Sequence, residues 1–258
     1  MQKFIFLFLL LALGVFSCEE QESTVVIANP PAEGFNLAES DEKAIAIADE
    51  VMEAMGGRQA WDDTRYIQWT FMGRRHLLWD KQTGRIRVES PGDSSVYLVN
   101  VFDKTGKVLL RGSDISQTDS IGKYVERGES IWINDSYWLL MPLKLKDSGV
   151  TLKYLKQDTM MGGKMADILQ LTFNEIGRTP DNKYLVYVDP EDKLVKQWDF
   201  FTNFNDPKPR FSSPWEDYQT YGPLKLSGDR GRGQLTNIAI FEEVDESLFT
   251  NFETKLLD

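Results

Sequence analysis

The first regular pattern in the chain is an apolar stripe that predicts a helix between Ser40 and Gly56. Its members recur at spacings of three and four residues, at Ala44, Ile47, Ala48, Val51 and Met55. This spacing places them on one helical face. Ser40 is the expected N-terminal cap, because its hydroxyl can accept a hydrogen bond from the first turn. Gly56-Gly57 is the expected end of the helix.

Beyond this helix the pattern changes to a period of two, which predicts strands. Apolar residues occupy odd positions from 67 to 79, at Ile67, Trp69, Phe71, Leu77 and Trp79. We interpret this stretch as one long half-buried strand or as a hairpin. Turn residues then recur between apolar runs, at 81–84, 103–106, 162–163 and 189–192. They predict successive antiparallel hairpins.

In two stretches, 96–102 and 194–201, apolar residues occupy both odd and even positions and so fall on both faces of a strand. An antiparallel sheet usually leaves one polar face in water. Strands with apolar residues on both faces therefore need other parts of the protein, or a ligand, to cover each face. The first helix can cover one face of a strongly curved sheet. The segment Glu129–Lys146 can cover its concave side as a short helix or loop, with Pro142 confining any helix to its front half. The expected fold class is mainly β (α+β), with one domain over residues 40–258.

The N-terminus predicts a secretory signal peptide over residues 1–17. Its apolar run from Phe4 to Phe16 spans only about 20 Å as a helix, which is short for a membrane. The following Val15-Phe16-Ser17-Cys18 resembles the lipobox of bacterial lipoproteins, which implies a lipid anchor on Cys18. An ordinary signal peptide with an incidental cysteine is the alternative. Residues 18–39 are acidic and contain Pro30-Pro31, which predicts a flexible tether.

The composition excludes several classes of function. The chain of 258 residues has one Cys and one His, too few for a disulfide framework or for a zinc or iron–sulfur centre built from these ligands. Its net charge of -11 argues against nucleic-acid binding. No cofactor and no metal are predicted, and the sequence names no protein partner. The expected contacts are a membrane, through the N-terminal acyl chains, and an apolar ligand.

Three segments resemble known bacterial envelope proteins. The stretch from Tyr184 to Trp198, with its Asp-Pro turn, and the closing segment Val244–Phe249 resemble the outer-membrane lipoprotein carrier (Lol-type) superfamily. The segment Trp132–Leu145 resembles uncharacterised bacterial putative lipoproteins that share this fold. The resemblance implies an incomplete antiparallel β-barrel, with helices over its opening and an apolar cavity for acyl chains. It does not imply an enzyme. A soluble carrier of this family has no anchor, so it is the lipobox resemblance at Cys18 that implies an outer-membrane lipoprotein of a Gram-negative bacterium, facing the periplasm or the exterior.

Catalytic interpretations find little support in the sequence. His76 is the only imidazole, and we expect it to be an exposed strand residue beside Arg74 and Arg75. Asn134-Asp135 and the other acids permit a two-carboxylate glycosidase, although no spacing singles out a pair. Ser227–Gly233 is rich in glycine but lacks the Walker spacing, so we interpret it as a turn before a strand at 234–241.

Aromatic residues carry the remaining hypothesis about function. If the strand alternation turns them inward, the curved sheet is lined by Trp69, Phe71, Trp79, Trp132, Trp138, Trp198 and Phe200. Such a surface can fill a core or bind an apolar ligand. The sequence therefore favours an anchored, non-catalytic lipoprotein that binds a lipid or another apolar molecule. The alternatives are a glycan-directed hydrolase or binding module that uses the tryptophans, and a structural subunit of an envelope complex.

Overall fold

The structure is a computed structural model that describes residues 28–174 and 179–256. The predicted signal peptide, Cys18 and residues 19–27 of the predicted tether lie outside the described residues. The α-helices are α1 Glu42–Ala54, α2 Arg58–Asp63 and α3 Ile121–Leu140. The strands are β1 Tyr66–Phe71, β2 Arg75–Asp80, β3 Arg85–Ser90, β4 Ser95–Asn100, β5 Thr105–Leu110, β6 Ser113–Asp114, β7 Val150–Thr159, β8 Met165–Phe173, β9 Lys183–Val188, β10 Val195–Phe201, β11 Phe211–Pro214, β12 Glu216–Tyr221, β13 Leu224–Asp229 and β14 Leu235–Phe241.

These strands form three antiparallel sheets. The seven-stranded sheet has the order β14-β1-β2-β3-β4-β5-β6, so the last strand of the chain pairs with the first. The five-stranded sheet has the order β11-β10-β9-β8-β7, and β12 pairs with β13. Within the described ranges no sheet closes into a barrel. The predicted mainly β fold is confirmed, and the arrangement is consistent with an incomplete, curved β-barrel.

The four predicted hairpin turns all join neighbouring antiparallel strands. They lie between β2 and β3, β4 and β5, β7 and β8, and β9 and β10. The stretch 67–79 is a hairpin rather than one long strand, since β1 and β2 pair with Ile67 opposite Trp79. Met72 and Gly73 form its turn with positive φ angles of 48° and 63°. This left-handed backbone lets the chain reverse within three residues.

Helix α1 carries the predicted apolar stripe, but its N-terminal cap differs from the prediction. Asp41 occupies the cap position, and its side chain makes no capping hydrogen bond. Its carboxylate instead accepts a hydrogen bond from the Tyr154 backbone N–H at 2.9 Å. The Ser40 hydroxyl accepts one from the Leu152 N–H at 3.0 Å. Both side chains therefore fasten the start of α1 to β7 instead of satisfying the first helical turn.

The predicted covering segment is longer than the sequence indicated. Helix α3 begins at Ile121, eight residues before the expected segment, and ends at Leu140. A 3₁₀ turn at Met141–Lys144 contains Pro142, so the helix stops before the proline but runs beyond the front half of the segment to which the sequence confined it. Helix α3 packs against β3, β4 and β5. A Cβ on Gly128 would lie 3.1 Å from Tyr97 and Val99 side chains, so this glycine permits the close approach.

The opposite face of the seven-stranded sheet is covered by the end of the chain. Leu248 and Phe249, in a 3₁₀ turn, pack with Tyr66 and Leu78 in a separate apolar cluster. Arg87 is 1% exposed and donates hydrogen bonds to the backbone carbonyls of Leu248, Asn251, Phe252 and Thr254. The sequence analysis placed the first helix on one face of the sheet and the segment Glu129–Lys146 on the other, concave face. In the structure, α1 and α3 share the inner cluster, and the closing segment covers the outer face.

Candidate functional site

All seven aromatic residues predicted to line the sheet pack in the main apolar cluster. Four are buried, at Trp69, Phe71, Trp79 and Trp198, and three are half-buried, at Trp132, Trp138 and Phe200. Five of them contact one another in two groups. Trp79 meets Trp132 edge to face at a centroid distance of 5.1 Å. Trp138 meets Trp198 edge to face at 4.8 Å and contacts Phe71 at 6.4 Å.

An open groove of about 540 Å³ lies between α3 and the five-stranded sheet. Of the predicted residues, Trp138, Trp198 and Phe200 line it, whereas Trp69, Phe71, Trp79 and Trp132 do not. Among the described residues, the aromatic lining is Tyr137, Trp138, Phe173, Tyr184, Trp198, Phe200 and Phe211. The volume falls within the range of roughly 300 to 1,000 Å³ that small-molecule sites occupy. Other cavities have similar volumes, but their described linings contain at most one Phe, Trp or Tyr each, so the aromatic groove is the candidate functional site.

The walls of this groove are formed by contacts among the rings themselves. Trp138 of α3 stacks on Phe211 of β11, with centroids 5.7 Å apart and an interplanar angle of 13°. Tyr184, Phe200 and Phe211 occupy directly opposed positions on β9, β10 and β11, so they form one cross-strand row. Neighbouring rings in that row lie 5.2 Å and 5.1 Å apart. Such rings hold each other in place, so the groove is pre-formed.

Four aromatic lining residues were missed by the sequence analysis, which expected the site within the larger curved sheet. These residues are Tyr137, Phe173, Tyr184 and Phe211. The signal for Tyr184 was incomplete. The turn at Asp189–Asp192 pairs Val188 with Val195, but a register shift between Val195 and Gln197 is what places Tyr184 opposite Phe200. The sequence gives no comparable signal for Phe211, because the 202–210 loop does not determine register.

Most polar side chains of the groove are neutral, at Ser130, Asn134, Tyr137, Ser148, Thr179, Asn182 and Tyr184. Burial raises the pKa of Tyr184 to about 12, although a hydrogen bond with Asn182 opposes this. Burial also raises the pKa of Tyr137 well above its ordinary value. Both phenols are therefore uncharged near neutral pH. Asp147 is the acidic residue among the described lining residues, and it forms an ion pair with Lys144.

Arg230 does not line the groove but contacts residues of its aromatic wall. Its guanidinium donates hydrogen bonds to the Trp138 carbonyl at 2.7 and 3.1 Å and lies 3.6 Å from the centre of the Trp215 ring. Trp215 in turn contacts Trp198 edge to face at 5.5 Å. Burial lowers the pKa of Arg230 to about 9. The glycine-rich segment Ser227–Gly233 therefore ends β13, forms the turn before β14 and supplies a buried cation to the aromatic wall.

His76 differs from its expected exposed position. It is half-buried on the outer face of the seven-stranded sheet, where Nδ1 lies 2.8 Å from the Thr70 hydroxyl oxygen. Arg75 points to the other face, because neighbouring strand residues alternate. A polar cavity of about 490 Å³ adjoins His76 and the end of the chain. Among the hydrogen bonds of the described residues, none joins His76 to a carboxylate, as a catalytic triad would require.

The carboxylate of Asp135, part of the sequence-based glycosidase alternative, is buried beside the groove rather than within it. Burial raises its pKa, and hydrogen bonds from Arg75 and Asn134 partly offset that effect. In the part of the chain that the structure describes, no three His, Cys, Asp or Glu residues gather as a metal site. No helix found in those ranges has the length and apolar character needed to cross a membrane.

Comparison with known proteins gives distant structural similarities only. No protein-family model and no curated protein match the chain. A DUF1329 family protein from Desulfovibrio piger ATCC 29098 aligns with a TM-score of 0.44 and 13% identity, over 81% of this chain and 98% of that chain. MucB in complex with MucA(peri) aligns with a TM-score of 0.25 and 12% identity, over 71% and 61% of the two chains. At these TM-scores the likenesses carry no argument about ligand or partner.

Proposed function

We propose that this protein is a bacterial envelope lipoprotein that binds a lipid or another apolar molecule in the groove between α3 and the five-stranded sheet, without catalysis. The observation that carries the proposal is the groove itself. Seven aromatic side chains line this groove of about 540 Å³. Asp147, the carboxylate among its described lining residues, forms an ion pair with Lys144. Such walls suit an apolar ligand, because the burial of each of its methylene groups contributes about 0.8 kcal/mol to binding.

The path of the N-terminal segment supports a role near a membrane. Its backbone joins the groove's edge, where the Gly149 N–H donates to the Gly34 carbonyl at 2.8 Å and the Asn36 N–H donates to the Val150 carbonyl at 3.0 Å. Val150 itself lines the groove. A lipid on Cys18 would be ten residues from Ala28, a reach of at most about 35 Å. The proposed anchor would therefore hold the groove close to the membrane surface.

The resemblance of Tyr184–Trp198 and Val244–Phe249 to the Lol-type superfamily supports the same class of ligand. The glycan-directed alternative would use the half-buried Trp138 and Phe200 as platforms for sugar rings. A two-carboxylate hydrolase in this groove would need a second acid beside Asp147. Among the described lining residues Asp147 is the acid, and the aromatic walls support a binding protein.

Native mass spectrometry of the gently purified protein tests this proposal. We expect a bound apolar molecule, which lipid extraction would identify, and a higher melting temperature when decan-1-ol is added to stripped protein. A bare protein mass together with an unchanged melting temperature would contradict the proposal. A panel of oligosaccharides and chromogenic glycosides measures the alternative, and binding or turnover there without any response to decan-1-ol would favour the glycan-directed function.

A further inference from the structure

The aromatic groove continues along α3 into a second, shallower depression of about 450 Å³. Ser130 and Asn134 line both cavities. The remaining lining of the shallow depression is Arg75, Lys123, Glu126, Arg127, Ile131 and Asp135. The two cavities therefore form one surface with an aromatic end and a charged end.

Helix geometry explains why the two cavities are continuous. Positions three or four residues apart share a helical face, and Lys123, Arg127, Ser130, Asn134 and Tyr137 follow that spacing on α3. The rise of 1.5 Å per residue places Tyr137 about 15 Å from Arg127 along the helix axis. A chain-like molecule lying in the aromatic groove would thus have one end near these cations.

The charged end carries two cations that face solvent. Lys123 and Arg127 are exposed, and among the described residues no carboxylate forms an ion pair with either. Arg75 is already occupied by Asp135, and the exposed Glu126 lies between the two cations. The five charged lining residues still sum to one positive charge, in a chain whose net charge is -11. This end of the surface is therefore suited to an anion.

We propose that the ligand is an anionic single-chain amphiphile, whose chain lies against the aromatic walls and whose carboxylate or phosphate head group contacts Lys123 and Arg127. This inference rests on the proposed function and adds the chemistry of the head group to it. A charged head at a solvent-exposed rim gains a modest, salt-dependent attraction. The alkyl chain of the ligand accounts for most of the affinity, and the two cations favour a ligand with a negatively charged head group.

Titration calorimetry with three probes of equal chain length tests the inference. The probes are decanoate, decyl phosphate and the neutral decan-1-ol. We expect the two anions to bind the purified protein roughly three- to tenfold more tightly than the alcohol. The difference should disappear near 1 M salt, where the Debye length falls to about 3 Å. If only one of the two anions binds more tightly than decan-1-ol, the result supports the inference and identifies the head group.

The double variant Lys123→Gln/Arg127→Gln tests the residues directly. It should bind decan-1-ol as the wild type does and lose its preference for the anions. Lys107→Gln/Arg111→Gln is the matched control, because it removes the same charges from exposed positions outside both cavities. Equal binding of all three probes by the wild type would overturn the head-group inference and leave the proposed function standing. Binding of none of them would overturn both.

Discussion

Arg75 on β2 and Asp135 on α3 form a two-pronged ion pair, with Nε to Oδ2 at 2.6 Å and Nη2 to Oδ1 at 2.8 Å. Asp135 has no exposed surface, whereas the Arg75 side chain is 24% exposed. The pair joins the helix that forms one wall of the groove to the first hairpin of the larger sheet. It therefore fixes the position of α3 by a directional contact as well as by apolar packing.

Replacing Asp135 with Asn should destabilise the protein by about 2 kcal/mol, because Arg75 then loses its charged partner while remaining largely buried. The free energy of unfolding in urea measures this loss. The double variant Arg75→Met/Asp135→Leu removes both charges and should recover much of the stability. If the double variant is less stable than Asp135→Asn by the full cost of a second loss, the two residues do not act as a pair.

Arg87 should be the residue on which the closing segment depends. Its guanidinium bonds four backbone carbonyls between Leu248 and Thr254, and Arg87→Met leaves them without that donor. We expect a loss of about 3 kcal/mol and faster proteolysis within residues 244–258. Arg111→Gln, an exposed change in the same sheet, is the control. Unchanged proteolysis in Arg87→Met would show that apolar packing alone holds the segment.

The stability of the fold should fall at acidic pH in a way that Asp80 partly determines. Burial raises the pKa of Asp80, but hydrogen bonds from Arg65, Arg85 and Thr83 outweigh it and lower the pKa to about 2. The folded state therefore favours the charged Asp80 carboxylate. Its contribution to the free energy of unfolding is complete above the pKa of the unfolded state, near 4, and is lost as the pH falls towards 2. It amounts to roughly 2 kcal/mol.

Urea unfolding at several pH values between about 5 and 2 measures this contribution. Asp80→Asn should lie below the wild type at pH 5, and the gap should close as the pH falls. A gap that stays constant with pH would contradict the assigned pKa. The comparison is a difference between two proteins, so the titration of the other carboxylates largely cancels.

The sequence predicted the mainly β fold because the patterns that indicate this fold are local. The turns at 81–84 and 189–192, the two-residue alternation and the stripe of α1 each depend on neighbouring residues. The length of α3 was wrong for a related reason. Residues 121–128 include Gly122 and Gly128, which disfavour a helix, and the contact of Gly128 with Tyr97 and Val99 of β4 joins segments that are distant in sequence.

The candidate site was harder to predict because it depends on contacts between distant segments. The sequence identified Trp138, Trp198 and Phe200, but it could not separate them from Trp69 and Trp79, which have the same composition and alternation. The difference arises from where α3 crosses the two sheets. Arg230 was missed as well, because a buried arginine bonded to the Trp138 carbonyl leaves no local pattern in the sequence.

Binding of decan-1-ol to a protein whose groove has been filled is the most direct test of the central proposal. Ile133, an exposed aliphatic residue of α3, lines the groove, so Ile133→Trp should occupy it without removing a hydrogen bond. Leu155→Trp makes a similar change at an exposed position of β7 outside the groove. We predict that Ile133→Trp lowers the affinity at least about tenfold, as expected when a few methylene contacts of about 0.8 kcal/mol each are lost, whereas Leu155→Trp binds as the wild type does. Equal binding by all three proteins would contradict the assignment of the groove as the ligand site.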